Sequence, residues 1–128
     1  ELWVTTSRRT PVEVETDLRK RSIDFLHLYS EEAYNPIPAF VQLCDRLFVT
    51  GDSTAMLSEC VTAGTSSVDV LQVAKMTKSK QHRFVRFLAD RGSVAIFGEG
   101  DGLAIEKVDL SEVAAQVREC LALRESLT

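Results

Sequence analysis

The chain has 128 residues, 45% of them hydrophobic, and a formal net charge of −4. That length supports one core, not the two lobes of a cleft enzyme, and the acidic balance excludes the broad basic footprint of a nucleic-acid binder. No apolar run approaches the roughly 18 to 20 residues that span a bilayer, and no signal-peptide pattern opens the chain, so a cytoplasmic domain is expected, with peripheral association at the inner membrane left open through another domain.

Strand and helix patterns alternate with short polar breaks, the pattern of a parallel sheet with helices on its faces. Leu2 to Thr6 reads as the first strand. It begins directly after Glu1, so the chain is expected to be a fragment that starts at a domain boundary of a longer protein. Ser7-Arg8-Arg9-Thr10-Pro11 closes that strand, and Pro11 suits a helix starting near Val12 with Val14, Leu18 and Ile23 on its inner face. Phe25 to Tyr29 is the second strand, with His27 packed beside the sheet. Ser30 to Pro38 carries Asn35, Pro36 and Pro38 and reads as a loop, followed by a short helix from Ala39 to Cys44.

Arg46 to Thr50 is the third strand, and a helix from Ser53 ends near Gly64, a suitable C-cap. Ser67 to Val73 is a β-branched strand, and Lys75 to Lys80 is a basic, solvated connector. Gln81 to Asp90 is a helix by its Phe84, Phe87 and Leu88 stripe, with His82 exposed. Val94 to Phe97 is a short strand, and Gly98-Glu99-Gly100-Asp101-Gly102 is a loop. The last helix starts at Ser111 as cap, with Glu112 in its first turn and Val113, Val117 and Leu121 on successive turns. The expected fold is α/β: a single three-layer Rossmann-like domain over residues 1–128 with a parallel sheet of about five strands.

The stretch from Thr50 to Gly64 carries the most chemistry. An apolar run (Leu47, Phe48, Val49) breaks into Gly51-Asp52-Ser53-Thr54 and opens a helix, which aims backbone N–H groups and the positive helix end beyond the sheet, as an anion site does. Asp52 or Ser53 serving as a plain N-cap explains the same residues without a ligand. Glu59, in the second turn, adds a carboxylate able to hold a sugar hydroxyl. In a doubly wound sheet the first and third strands flank the switch point, which would set Ser7-Arg8-Arg9-Thr10 opposite Asp52-Ser53-Thr54, a combination suited to phosphate.

The glycine loop lacks the Lys-Ser/Thr of a P-loop and the spacing of a dinucleotide fingerprint. His27 and His82 have no triad or metal partner by sequence, and no metal site is expected. Cys44, Cys60 and Cys120 are odd in number and widely spaced, fitting small buried side chains in a reducing compartment.

T-T-S-R-R-T-P at Thr5 to Pro11, N-P at Asn35-Pro36, D-S-x-x-M-x-S-E from Asp52 to Glu59 followed by Gly64, and K-x-x-R-F at Lys80 to Phe84 together resemble the bacterial glycosyltransferase-like family related to the plant elongated-mitochondria fission protein. The resemblance runs from about Leu2 to Gly92. It implies the C-terminal half of a two-Rossmann (GT-B) protein. The helix segment is also similar to the donor site of the transferase that adds N-acetylglucosamine to lipid-linked muramyl-peptide.

By these resemblances, Ser53 and the N–H groups of Thr54 and Ala55 would hold the diphosphate of a nucleotide-sugar. Ser7 and Arg8, with Arg9 and Thr10, would close it from the other side. Asn35, Pro36 and Ile37 would lie by the nucleobase, and Glu59 would bind sugar or ribose hydroxyls beside Asp52, Met56 and Ser58. No cofactor is implied, since the nucleotide-diphosphate sugar is the substrate. The acceptor's general base would lie in an N-terminal domain of the same chain, leaving the fragment alone inactive. The sequence departs from the family at Gly64-Thr65-Ser66-Ser67, where a G-K-P-V type turn is usual. Two other readings stand beside this one: a non-enzymatic interaction module related to organelle-division proteins, and a nucleotide-sugar epimerase, which the absence of G-x-G-x-x-G after the first strand disfavours.

Overall fold

The computed structural model describes residues 1–73, 80–99, 104 and 106–127. In chain order the elements are β1 (Trp3–Thr5), α1 (Val12–Arg19), β2 (Phe25–His27), α2 (Ile37–Leu43), β3 (Arg46–Thr50), α3 (Thr54–Thr62), β4 (Ser67–Leu71), α4 (Lys80–Asp90), β5 (Ala95–Ile96) and α5 (Ser111–Ser126). The chain is α/β, and every strand pairing is parallel.

The expected single sheet of about five strands is corrected. The ladders form a two-stranded sheet, β1-β2, and a three-stranded one, β3-β4-β5. β1 and β2 are only three residues long, and the groups flanking β1, the Leu2 carbonyl and the Thr6 N–H, bond to Phe25 and His27 of the β2 strand. The chain divides into two compact units, Glu1–Pro38 and Ala39–Thr128, with the division falling inside α2.

In the first unit Trp3, Val4 and Thr5 stand opposite Phe25, Leu26 and His27. Pro11 precedes α1 with the backbone preset for a helix start. The inner face of α1 differs from the expected one. Val14 is exposed, Leu18 half-buried, and the buried residue is Glu15, whose carboxylate accepts the Ser30 hydroxyl at 2.8 Å. A buried carboxyl needs such a partner, and this one comes from fifteen residues away. His27 is packed as expected, 4% exposed, with Nδ1 at 2.7 Å from the Thr5 hydroxyl, Nε2 at 2.6 Å from the Glu32 carbonyl, and the Tyr34 ring centred 4.5 Å away. Asn35 Oδ1 accepts the Ile37 N–H at 3.0 Å, so α2 opens at Ile37, inside the expected loop. Pro38 sits in its first turn, where a missing N–H costs nothing.

In the second unit β3 alternates as a half-buried strand should, with Leu47 and Val49 inward and Arg46, Phe48 and Thr50 outward. Val68 and Val70 of β4 are fully buried. Asp69, 3% exposed, takes Arg46 in a two-pronged pair at 3.2 and 2.6 Å, and the Arg46 guanidinium also lies 4.9 Å from the Phe48 ring centre. Gly64, two residues past α3, has φ of +67°, and a Cβ there would meet the Val41 carbonyl oxygen at 2.4 Å. Only glycine fits that turn. Ser66, within the departure from the family turn, is buried and donates to the carbonyls of Val41 and Cys44, tying off the end of α2.

α4 turns Val85 and Leu88 inward, whereas Phe87 is 57% exposed and Phe84 and His82 are half-buried, which corrects the expected stripe and the exposed histidine. The 3.6-residue period places positions 85 and 88 on one face. α5 buries none of its residues. Ser111 is its first residue and not its cap: the Asp109 carboxylate accepts the Ser111 N–H at 2.9 Å, and Leu110 holds the cap position. Cys60 is buried, Cys44 half-buried and Cys120 exposed on α5, so only Cys60 matches the expected burial. Lys75, Lys78 and the Gly100-Asp101-Gly102 part of the glycine loop lie outside the described residues. Among the described residues no helix is long and apolar enough to cross a membrane.

Candidate functional site

The second unit carries one set of the predicted residues, built on the β3 to α3 turn. Gly51 is buried and its N–H bonds the Leu71 carbonyl at 3.0 Å, fixing where β3 ends. Ser53 then takes an extended backbone (φ −114°, ψ 103°), and its Oγ accepts the Met56 N–H at 3.3 Å. Of the two cap candidates Ser53 holds the position, and Asp52 is left exposed. Thr54 and Ala55 are the first two helical residues, whose N–H groups have no acceptor within a helix and point out of its positive end.

Farther along α3, Met56 and Ser58 are half-buried and Glu59 is exposed. One neighbour was not legible as a site residue: the Thr54 hydroxyl donates to Gln81 Oε1 at 2.7 Å, joining the mouth of α3 to the start of α4. The other half of that amide, Gln81 Nε2, is buried and has no hydrogen-bond partner among the described residues. No sequence signal marks Gln81, because its partner lies 27 positions away.

The first unit carries the other set. Ser7 to Thr10 closes on itself: the Ser7 N–H donates to Thr10 Oγ1 at 3.0 Å, the Arg9 N–H to Ser7 Oγ at 3.3 Å, and the Thr10 N–H to the Ser7 carbonyl at 3.0 Å. This compact turn leaves Arg8 and Arg9 exposed. Asn35 spends its side-chain oxygen on the start of α2, and Pro36 and Ile37 are buried. The predicted residues thus form two locally ordered groups. β1 pairs with β2, and β3 with β4, so the β1–β3 neighbourhood on which the expected switch point relied is not among the ladders.

Cavities among the described residues lie elsewhere. One of about 460 Å³ in the first unit is lined by residues 25–28 with Glu31, Glu32 and Tyr34. Another of about 360 Å³ in the second unit lies between α4 and β5, beside Arg86, Ile96 and Glu99. Neither is lined by a predicted donor residue.

Lys107 was also missed by sequence. Its Nζ donates at 2.8 Å to the carbonyls of both Cys60 and Ser66, linking the last turn of α3 to the entry of β4. Burial lowers its pKa. The same surroundings push the Cys60 thiol up to about 11, burial first and the Glu59 charge second, with Lys107 opposing. A thiol so protonated is no nucleophile at neutral pH. Among the described residues, no cluster of three or more His, Cys, Asp or Glu side chains is placed to hold a metal ion.

Parallel strands joined through helices place the chain among α/β proteins, with a serine-capped helix opening at the carboxyl end of β3. The family model described as mitochondrial fission ELM1 matches residues 1–121, and the chain belongs to that family, the one its motifs resemble. No curated protein and no solved structure matches it.

Proposed function

We propose that the chain is the nucleotide-sugar donor-binding domain of a Rossmann-like, GT-B glycosyltransferase, working with an N-terminal domain of the same protein that supplies the acceptor's general base. The supporting observation is the mouth of α3. A hydroxyl-capped helix end and the Thr54 and Ala55 N–H groups suit a diphosphate oxygen, and Gln81, tied to Thr54, adds a buried amide donor without an acceptor among the described residues. Glu59, exposed on the second turn, is the group for a ribose or sugar hydroxyl. Diphosphate charge stabilisation, not a nucleophile in this domain, is its contribution to transfer.

Calorimetric titration with UDP, GDP, ADP and CMP, with and without magnesium, tests the reading. One nucleotide should bind saturably, and Glu59→Ala should weaken it about tenfold, the loss of one hydrogen bond to a charged group. Arg8→Ala should cost about 1.5 to 3 kcal/mol if its guanidinium bonds the diphosphate, and an unchanged affinity removes Arg8 from the site. Absence of binding to all four, in the chain and in the full-length protein, sinks the donor-domain reading.

Family membership favours a second reading, a non-enzymatic interaction module, since the family is described by mitochondrial fission and not by transfer. It gains if no nucleotide binds.

A further inference from the structure

We propose that the outer edge of β2 is a docking site for an extended, lysine-bearing peptide segment, which adds to the β1-β2 sheet as a third strand. The register carries the argument. In a parallel ladder a residue sends its N–H and its C=O to the same neighbour, and alternate residues face opposite edges. The Phe25 N–H bonds the Leu2 carbonyl at 3.2 Å, and the His27 carbonyl accepts the Thr6 N–H at 3.1 Å. Phe25 and His27 therefore serve β1, and Leu26, between them, turns both its backbone groups to the other side. β2 pairs with β1 alone among the described residues. A strand edge with open backbone groups is a template for strand addition.

The edge also has room and chemistry. The cavity of about 460 Å³ lies along it, lined by residues 25–28 and by Glu31, Glu32 and Tyr34. Phe25 and Tyr34 are 41% and 45% exposed and give apolar walls. His27 takes no direct part, since both ring nitrogens are engaged, one by Thr5 and one by the Glu32 carbonyl. That second bond holds the loop after β2 in place.

Charge selects the occupant. Glu31 is paired with Arg19, whereas the Glu32 carboxylate has no ion-pair partner among the described residues and is exposed at the rim. One uncompensated carboxylate in a lining shared with two aromatic residues suits a cationic side chain with an aliphatic stem, which is lysine.

The test uses the ¹⁵N-labelled chain and the probe acetyl-Lys-Val-Lys-Val-Lys-amide, with acetyl-Glu-Val-Glu-Val-Glu-amide and two versions of the lysine peptide N-methylated on alternate amides. In the chain alone the Leu26 amide should exchange rapidly with solvent. The lysine peptide should slow that exchange and shift resonances of residues 25–34 saturably. One of the two N-methylated versions should bind about two- to tenfold more weakly, the loss of a single backbone hydrogen bond. Glu32→Lys, at an exposed position, should keep the native circular dichroism and reverse the preference toward the glutamate peptide. A Leu26 amide already protected in the chain alone overturns the proposal. So does equal binding of both N-methylated versions, which would reduce the effect to charge attraction, or the absence of saturable shifts.

Discussion

Burial raises the Cys60 thiol to about 11, and burial, followed by the charge of Asp45, raises that of Cys44. Cys120 stands exposed on α5. Because the thiolate is the reacting form, a disulfide-exchange reagent at about pH 8 should titrate Cys120 rapidly in the native chain, Cys44 slowly, and Cys60 only after denaturant is added. Release of all three thiols without denaturant would show that the Cys60 environment opens. Asp109 makes the opposite kind of statement. The Ser111 N–H bonded to its carboxylate holds its pKa below the usual 3.8. A depressed folded value means the bond stabilises α5 at and above the ordinary carboxylate range, and the stabilisation is lost as pH falls through the folded value. Helical ellipticity should therefore fall on acidification below about pH 4, and that component should be absent in Asp109→Asn, whose amide cap does not titrate.

At the scale of elements the turn after α3 is the most constrained. Gly64 has φ of +67°, and a β-carbon would sit 2.4 Å from the Val41 carbonyl oxygen and 2.9 Å from its Cγ1. Gly64→Ala should destabilise the chain by more than about 2 kcal/mol, backbone strain plus a clash with main chain that cannot swing aside. A shift in the urea midpoint at constant slope measures it, and a shift under half a kcal/mol contradicts the turn as described. This region was also the most legible in the sequence. Leu47 and Val49 alternate with polar or exposed neighbours, Ser53 has cap chemistry, and Gly64 has turn chemistry, all local signals. α1 was not legible, because its buried position belongs to Glu15 and depends on Ser30. The true start of α2 lay between two prolines, where the Asn35 side chain outweighs the loop signal. Ser111 was read as a cap because serine is a common one, whereas Asp109 is the group that bonds the helix start.

At the scale of the molecule the apolar core is unevenly shared. Of the buried hydrophobic residues, only Leu28 and Ile37 fall in Glu1–Pro38, and the others, from Phe40 to Ala104, fall in Ala39–Thr128. Fewer than about 40 residues rarely fold without a disulfide or metal. A peptide of residues 1–38 should show no cooperative unfolding, and one of residues 39–128 should unfold in a single calorimetric transition. A folded 1–38 peptide would show that the β1-β2 sheet and its His27 bonds suffice alone. Sequence periodicity marked every strand but could not assign sheets, since the pairing of three-residue strands rests on contacts that no local pattern encodes. The candidate donor residues were recoverable as two local groups for the same reason, and Gln81 and Lys107, whose partners lie 27 to 47 positions away, were not.

α5 is a helix of sixteen residues, none of them buried, about 24 Å long at 1.5 Å per residue. Its order comes from its own backbone bonds and from the chemistry of its ends, so its unwinding follows helix–coil statistics and not the all-or-none law of a packed core. With none of its side chains buried, it exposes little apolar surface when it unwinds and so adds little to the heat-capacity change of unfolding. Two thermometers are built into one chain: a broad one in α5, read by ellipticity alone, and a sharp one in the core, read by heat.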